Sequence, residues 1–344
     1  MPHVLDPRTS GSAPSMQDVA DRAGVAIGTV SNVLNRPNLV AERTRRKVEN
    51  AIAALGFVRN SAARSLAAGS SNTVGLVLVD LENSFFVDIA RGVEATTARA
   101  GLRLLLANSD VDQTRQGDYL EHFDEARSAG LILAPLDGPL DDAYTVHNHG
   151  RPIVLVNAPV TDEQLCSVIV DDELGGELAT QHLIDQGCRH LAFLAGPLQF
   201  QAITKRLAGA RRAAKRAQVR LTVVEADTLK ASSGRAAALE LLTPSRLVDG
   251  IVCCSDPQAV GVIGTAIDLG IAVPDEVAVI GYDDNHFAAD SVIPVSTIGQ
   301  AGVQMGQVAA ELLLEEINDP VNHRHRCVVV EPHLLPRRSS QRAR

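Results

Sequence analysis

Residues 15–57 read SMQDVADRAGVAIGTVSNVLNRPNLVAERTRRKVENAIAALGF, and their spacing predicts three short helices. Ser15 and Asp18 stand at the capping-box interval, which closes a helix start by reciprocal side-chain-to-backbone bonds. Val19, Ala20 and Ala23 follow at helical spacing, and Gly24 supplies the left-handed residue that ends a helix. A second helix is expected from about Ala26 to Leu34, with Val30, Val33 and Leu34 facing inward and Pro37 stopping it. A third, from about Ala41 to Leu55, buries Val48, Ala51, Ile52 and Leu55 and ends at Gly56. Two short helices joined by a tight glycine turn make a helix-turn-helix. Its second helix turns Gly28, Thr29 and Asn32 outward, where a base edge is within reach. Arg43, Arg45, Arg46 and Lys47 add charge for phosphates. On pattern alone the alternative is a small helical bundle without a nucleic-acid partner.

The charge distribution points the same way. Residues 1–70 hold nine Lys/Arg against five Asp/Glu, a balance of +4, whereas the other 274 hold 23 against 36, a balance of −13. An acidic body repels a polyanion and a basic head approaches one. The 344 residues suggest two or three domains, and 45% apolar with 21% charged residues describes an ordinary globular protein with a sizeable core. No apolar run is long enough to span a bilayer, and the N-terminal stretch lacks the basic-then-apolar pattern of a secretory signal. Five cysteines without a C-x-x-C give no disulfide framework or structural zinc motif, so a reducing cytoplasmic location is expected.

Three stretches carry a family resemblance. Asp18–Asn35 spells D-V-A-x-x-A-G-V-x-x-x-T-V-S-x-V-L-N, Arg45–Phe57 spells R-x-x-V-x-x-A-I-x-x-L-G-F, and Asn60–Leu66 spells N-S-A-A-R-S-L. The chain thereby resembles the LacI/GalR family of transcription regulators over all but its two tails. The resemblance implies that the second helix lies in the major groove, with Ile27, Gly28 and Asn32 at base-reading positions and Thr29, Ser31 and Asn35 beside backbone phosphates. Ser15 and Thr44 match capping and phosphate-contact positions. Many relatives carry Arg where this chain has Asn32; Asn pairs with adenine where Arg favours guanine, so a different operator is expected. Asn60–Leu66 alone is too short for a stable helix, and Ala67–Asn72 reads as a flexible linker. The resemblance makes this segment a hinge whose Leu66 wedges into a minor-groove base step.

From Thr73 onward apolar runs alternate with amphipathic stretches, the mark of successive βα units. Strands are expected at 74–79, 102–106, 130–134, 153–157, 167–170, 190–195, 250–253 and 278–281. Helices are expected at about 84–100, 175–186, 203–217, 234–242, 257–269 and 302–317. The fold class is therefore α/β: a helix-turn-helix head and hinge joined to a two-lobed, periplasmic-binding-protein-like body of doubly wound parallel sheets. The expected divisions are a disordered lead-in (1–14), the head (15–59), the hinge or linker (60–72), the body (73–335) and a basic, solvated tail (336–344). The body's lobes are expected at about 73–170 and 171–335, with the chain crossing between them.

Ligands of such sheets bind beyond the carboxyl ends of the strands. Asn83, Phe85 and Phe86 follow the first strand, Asn157 the fourth, Ser255 and Asp256 the G-I-V-C-C run, and Asp283 and Asp284 the V-I-G-Y run. Arg206 stands in T-K-R-L-A-G and Gln300 after P-V-S-T-I-G. The resemblance implies an effector pocket at Phe85, Phe86, Asn157, Arg206, Ser255, Asp283 and Gln300. A carboxylate, an arginine and amides suit sugar hydroxyls, and Phe faces suit the ring's C–H side. Each residue taken singly also reads as a helix cap or a surface charge. Ser255 departs from the Asn of many sugar-responsive members. The purine-responsive branch has Arg near the place of Phe200 and an aromatic near Leu229, and neither is present, which favours a sugar or related polyol over a purine.

Enzyme readings find no support: no G-x-G-x-x-G opens the first βα unit, and neither a P-loop lysine motif nor G-x-S-x-G occurs. His147/His149 and His323/His325 are pairs two apart, a spacing that binds metal but also occurs in exposed loops. Asp171–Asp172 and Asp283–Asp284 read as an ion site or, more simply, as helix caps. No metal or cofactor is expected. The resulting reading is a cytoplasmic, DNA-binding repressor, a homodimer on a near-palindromic double-stranded operator, controlled by a sugar-like effector and without a membrane role. The alternatives are the same regulator responding to a nucleoside, another metabolite or a protein co-effector, and a solute-binding protein that does not bind DNA.

Overall fold

The computed structural model describes residues 14–58, 71–160, 164–243 and 248–342. The chain divides into two compact units, Met1–Ala68 and Gly69–Arg344.

In the first unit, α1 (Met16–Ala23), α2 (Ile27–Asn35) and α3 (Glu42–Leu55) enclose Val19, Ala20, Ala23, Val30, Val33, Val48 and Ala51. The capping box forms as its spacing predicts: Asp18 N–H donates to Ser15 Oγ at 3.2 Å, and Ser15 N–H donates to Asp18 Oδ2 at 2.7 Å. Gly24 and Gly56 end α1 and α3 with φ of 66° and 64°, a conformation that costs glycine nothing sterically.

The second unit alternates strand and helix. Its order is β1 (Thr73–Leu78), α4 (Ser84–Arg99), β2 (Arg103–Asn108), α5 (Gln113–Glu125), β3 (Gly130–Leu133), α6 (Asp141–Asn148), β4 (Ile153–Val156) and β5 (Cys166–Val170). Then come α7 (Asp172–Asp185), β6 (His190–Ala195), α8 (Gln201–Ala217), β7 (Arg220–Glu225), α9 (Ala231–Leu241), β8 (Gly250–Cys253), α10 (Asp256–Asp268) and β9 (Ala278–Ile280). The chain continues through α11 (His286–Asp290), β10 (Thr297–Gly299), α12 (Gly302–Asn318), β11 (Cys327–Val330) and β12 (His333–Leu335).

One parallel sheet runs β11-β5-β4-β3-β1-β2 and a second runs β7-β6-β8-β9, while β10 and β12 pair antiparallel. The sheets belong to two lobes. Leu76, Leu78, Ile89, Ile132 and Val168 pack with Met305, Leu312 and Leu313 of α12 in the first. Ala179, Leu183, Phe193, Leu207 and Ile280 pack in the second. The second lobe is therefore not the continuous stretch 171–335: residues 302–330 return to the first lobe. The cause is close helix packing, because a Cβ on Gly92 would stand 2.1 Å from Val303 O and one on Gly306 2.1 Å from Ile89 O. Only glycine lets the α4 and α12 backbones approach so far. Among the described residues the chain crosses between lobes at Asp171, at Gln300–Ala301 and at Glu331–Pro332.

The expected solvated tail is also corrected over its described part. Ser339 and Ser340 are fully buried, Ser339 Oγ donates to Val279 O at 2.6 Å, and Arg342 donates to Asp249 O at 2.7 Å. The strand edge of β9 offers backbone groups that residues 337–342 satisfy, so the polar composition serves hydrogen bonding rather than solvation.

Candidate functional site

In the head, α2 leaves Ile27, Gly28, Asn32 and Asn35 exposed, with Thr29, Ser31 and Thr44 half-buried. Asn35 Nδ2 donates to Ser31 Oγ at 3.2 Å, which lines their polar groups along one face. Nothing stands within 4 Å of a Cβ built on Gly28, so the fold itself leaves room for a larger residue there. Ser15 is exposed and its hydroxyl serves the α1 cap. Thr44 is not a cap residue: α3 starts from Ala41 without a side-chain cap. Arg46 pairs with Glu42 and Arg45 with Glu49, the latter at 3.6 Å, while Arg43 and Lys47 lie exposed on the same helix. Leu66 lies outside the described residues.

In the body, the carboxyl ends of the strands bring together Arg206, Asp283 and Gln300. Arg206 on α8 is 5% exposed, and Asp283 after β9 is 6% exposed. Arg206 Nε donates to Asp172 Oδ1 at 2.7 Å and its Nη1 to Cys254 O at 2.8 Å, with Asp283 Oδ1 3.7 Å away. The guanidinium lies over the Tyr282 ring, 3.6 Å from its centroid, a cation–π contact in a dry setting. Burial opposes the charge on Arg206, but Asp172, Tyr282 and Asp283 outweigh it and hold the group more firmly protonated than usual. Asp283 takes Asn83 Nδ2 on Oδ2 at 2.9 Å and Gln300 Nε2 on Oδ1. Burial raises its carboxyl above the usual range against the pull of Arg206 and these amides. Asp283 and Asp284 have φ of 99° and 59°, a left-handed pair that turns the chain at the lobe junction.

The remaining expected pocket residues make local contacts of their own. Phe85 and Phe86 sit in the first core with ring centroids 5.2 Å apart, because α4 turns both toward β1. Phe85 also borders a cavity of about 340 Å³ shared with Asp283, Asp284, Gly302 and His333. Ser255 is committed locally: its hydroxyl donates to Leu229 O at 2.6 Å and accepts from Gln258 N–H at 3.3 Å as the cap of α10. Asn157 stands half-buried at the end of β4 with φ of 62°.

Three cluster members stood outside the expected set. Asn83 caps α4 by accepting from Phe85 N–H at 3.0 Å and also reaches Asp283. Asp172 follows the capping Asp171, which accepts Leu174 N–H at 2.9 Å, and points the other way to Arg206. Tyr282 supplies the aromatic face. The signal for all three was position: each follows a strand of a doubly wound sheet within a few residues. Asp284 pairs with Arg337 at 2.6 Å.

Comparison with known proteins agrees with both units. The model of bacterial regulatory proteins of the lacI family matches residues 15–60, and that of the periplasmic binding protein-like domain matches residues 180–340. The ribose operon repressor of Bacillus subtilis is 35% identical over 300 residues, covering 87% of this chain and 90% of that protein. The HTH-type transcriptional repressor PurR of Photobacterium profundum is 32% identical over 335 residues, covering 94% and 98%. The structure of the lac repressor dimer bound to operator and the anti-inducer ONPF superposes with a TM-score of 0.83 at 25% identity, covering 96% of this chain and 99% of that one. These relatives are transcriptional regulators, and among the described residues no helix is long and apolar enough to cross a membrane. The capped helices of the head, the paired parallel sheets and the likeness along almost the whole chain agree: it belongs to the lacI family of bacterial regulatory proteins.

Proposed function

We propose that this regulator is a cytoplasmic repressor without a reaction of its own, whose grip on a near-palindromic operator is set by a small sugar-like effector held between its lobes. The observation that carries the effector reading is the polar cluster at the junction. Asp283 of the second lobe is held by Asn83 of the first and by the crossing residue Gln300, and Gln300 Oε1 and Asn285 Nδ2 are buried there without hydrogen-bond partners among the described residues. One free acceptor and one free donor beside a carboxylate and a guanidinium match vicinal hydroxyls. A ligand that takes over the Asp283 bonds acts on one of the contacts joining the lobes, beside those of Ser84 with Asn285 and of Asp88 with His286, and so shifts the balance between body states. Operator and effector affinities are then coupled reciprocally.

Homodimerisation follows from geometry: one head covers a half-site, and two related by a twofold axis match a palindrome. Exposed Leu105, Leu106 and Val111 on the first lobe and Ile267, Leu269 and Val292 on the second offer apolar surface for a second copy to cover. The likeness to the ribose operon repressor supports a sugar; a nucleoside, a base or another metabolite is the second reading.

The test is a thermal-shift panel of sugars, polyols, nucleosides and free bases against the full-length protein, followed by an operator-release assay with each hit. At 100 times its dissociation constant a ligand adds about 2.7 kcal/mol of stability. A sugar hit that Asp283→Asn abolishes supports the reading. A base as the sole hit favours the second, and hits indifferent to Asp283→Asn place the effector elsewhere.

A further inference from the structure

A second group of chemistry-bearing side chains lies far from the Asp283 cluster, where β5 and β11 begin. Cys166, the first residue of β5, is a fully buried free thiol. His323 Nε2 stands 3.2 Å and His325 Nδ1 3.8 Å from its Sγ, and the ligand atoms of these three residues all lie within 4.8 Å of one another. Glu316, near the end of α12, is 7% exposed and brings Oε2 to 4.0 Å from His323 Nε2. That oxygen is buried and has no hydrogen-bond partner among the described residues.

Cys166, His323 and His325 have the types and spacing of three ligands of a tetrahedral site, and Glu316 stands beside His323 as the nearest candidate for the fourth. With a metal–sulfur bond of about 2.3 Å and a metal–nitrogen bond of about 2.0 Å, a tetrahedral zinc ion holds sulfur and nitrogen roughly 3.5 Å apart. The two observed separations straddle that value. A thiol–imidazole hydrogen bond alone explains Cys166 and His323, but it leaves the buried Glu316 oxygen unsatisfied. Glu315 Oε2, 3.9 Å from His323 Nδ1, is placed to orient the ring from its far side, as carboxylates do for metal-bound imidazoles.

We infer that Cys166, His323, His325 and Glu316 form a binding site for a divalent transition-metal ion of zinc's borderline softness. The ion ties the turn between α12 and β11 to the start of β5. All strands of this sheet run parallel, so the site shares its edge with the start of β1, where the chain enters the body.

The test uses full-length, reduced protein stripped of metal by a chelator and then titrated with Co²⁺ and with Zn²⁺. Stoichiometric Co²⁺ uptake is expected, with the intense visible bands of a tetrahedral ion and a sulfur-to-cobalt charge-transfer band, all lost when Zn²⁺ displaces it. Cys166→Ser abolishes the charge-transfer band, and His325→Gln weakens binding by roughly tenfold or more. Cys327→Ser, at the exposed cysteine on the neighbouring strand, leaves the spectrum unchanged. Absence of stoichiometric uptake, a Co²⁺ spectrum without the sulfur band, or uptake indifferent to both Cys166→Ser and His325→Gln overturns the site. Should Cys166→Ser fail to fold, His325→Gln decides alone, since its ring is partly exposed and its removal spares the core.

Discussion

Asn83 and Asp283 meet across the lobe junction with Nδ2 2.9 Å from Oδ2, although they lie 200 positions apart in the chain. Asn83 is held in place because its Oδ1 accepts the Phe85 N–H and starts α4. Asp283 is held by a left-handed turn and by Gln300. Each partner is thus held in place before the two meet, and the bond between them is one of those that join the lobes.

Asn83→Asp keeps the α4 cap, since a carboxylate caps as well as an amide. It also removes the donor and sets a half-buried carboxylate against the buried one of Asp283. The expected loss is about 1–3 kcal/mol of body stability, with a rise in the radius of gyration measured by small-angle scattering. A variant as compact and as stable as the parent would show that this bond does not hold the lobes together.

Arg206→Met leaves Asp172 and Asp283 buried without their cation. Breaking one side of a buried ion pair costs about 3–5 kcal/mol, which urea unfolding of the full chain reads directly. Arg206→Lys keeps the charge but not the planar fork that serves Asp172 and Cys254 O together, so an intermediate loss is expected.

Asp256 governs a pH dependence of known sign. Burial holds its carboxyl well above the usual range, with Asp283 adding to the shift while Thr297 and the Asn285 N–H oppose it. The folded protein therefore keeps a proton that the unfolded chain releases above about pH 4. Stability contributed by that proton is present at low pH and is lost as pH rises through the folded value. Asp256→Asn removes this slope: relative to the parent, the variant gains stability as pH rises above about 4 in urea titrations. An unchanged slope would mean that Asp256 is ionised in the folded state.

Ser339→Ala tests the packed tail. Its hydroxyl donates to Val279 O at 2.6 Å and accepts the Ser296 N–H at 2.8 Å, both out of reach of water. Orphaning those groups costs about 1–3 kcal/mol, which should appear as a lower melting temperature of the body. A melting temperature equal to the parent's would return residues 337–342 to the status of a loose end.

Gly28→Ala separates stability from recognition in the head. The exposed helical position has space for a methyl group, and alanine is favoured over glycine there by about 0.5–1 kcal/mol. Amide protection of α2 should therefore rise in hydrogen exchange. If Gly28 lies against a base edge, operator affinity falls in the same variant; equal or tighter operator binding would move the reading surface away from Gly28.

Local chemistry alone determined much of this protein. The capping box at Ser15 and Asp18, the glycine stops at 24 and 56 and the inward valines of α1 to α3 are contacts within a few residues, so their spacing displays them. The buried strands His190–Ala195 and Gly250–Cys253 were legible for a related reason, since covered parallel strands are continuous apolar runs. The edge strand Arg220–Glu225 was not legible: its half-exposed residues leave no such run. Thr297–Gly299 and His333–Leu335 are too short to show a period.

What the tertiary structure decided is which distant residues meet. Phe85 and Phe86 went to the core because the helix face was already apolar, and Ser255 was spent on its own helix cap. Asp172 was drawn from a pair that reads as two caps into the buried partnership with Arg206. Cys166, His323 and His325 carry no common signal, the histidines lying 157 and 159 positions from the cysteine. Residues 302–330 returned to the first sheet because glycines on α4 and α12 let two backbones touch. Helix caps and periodicity are settled by neighbours within a turn, whereas a cluster such as Asp283, Asn83 and Arg206 exists only once long-range packing has excluded water and left polar groups no partners but each other.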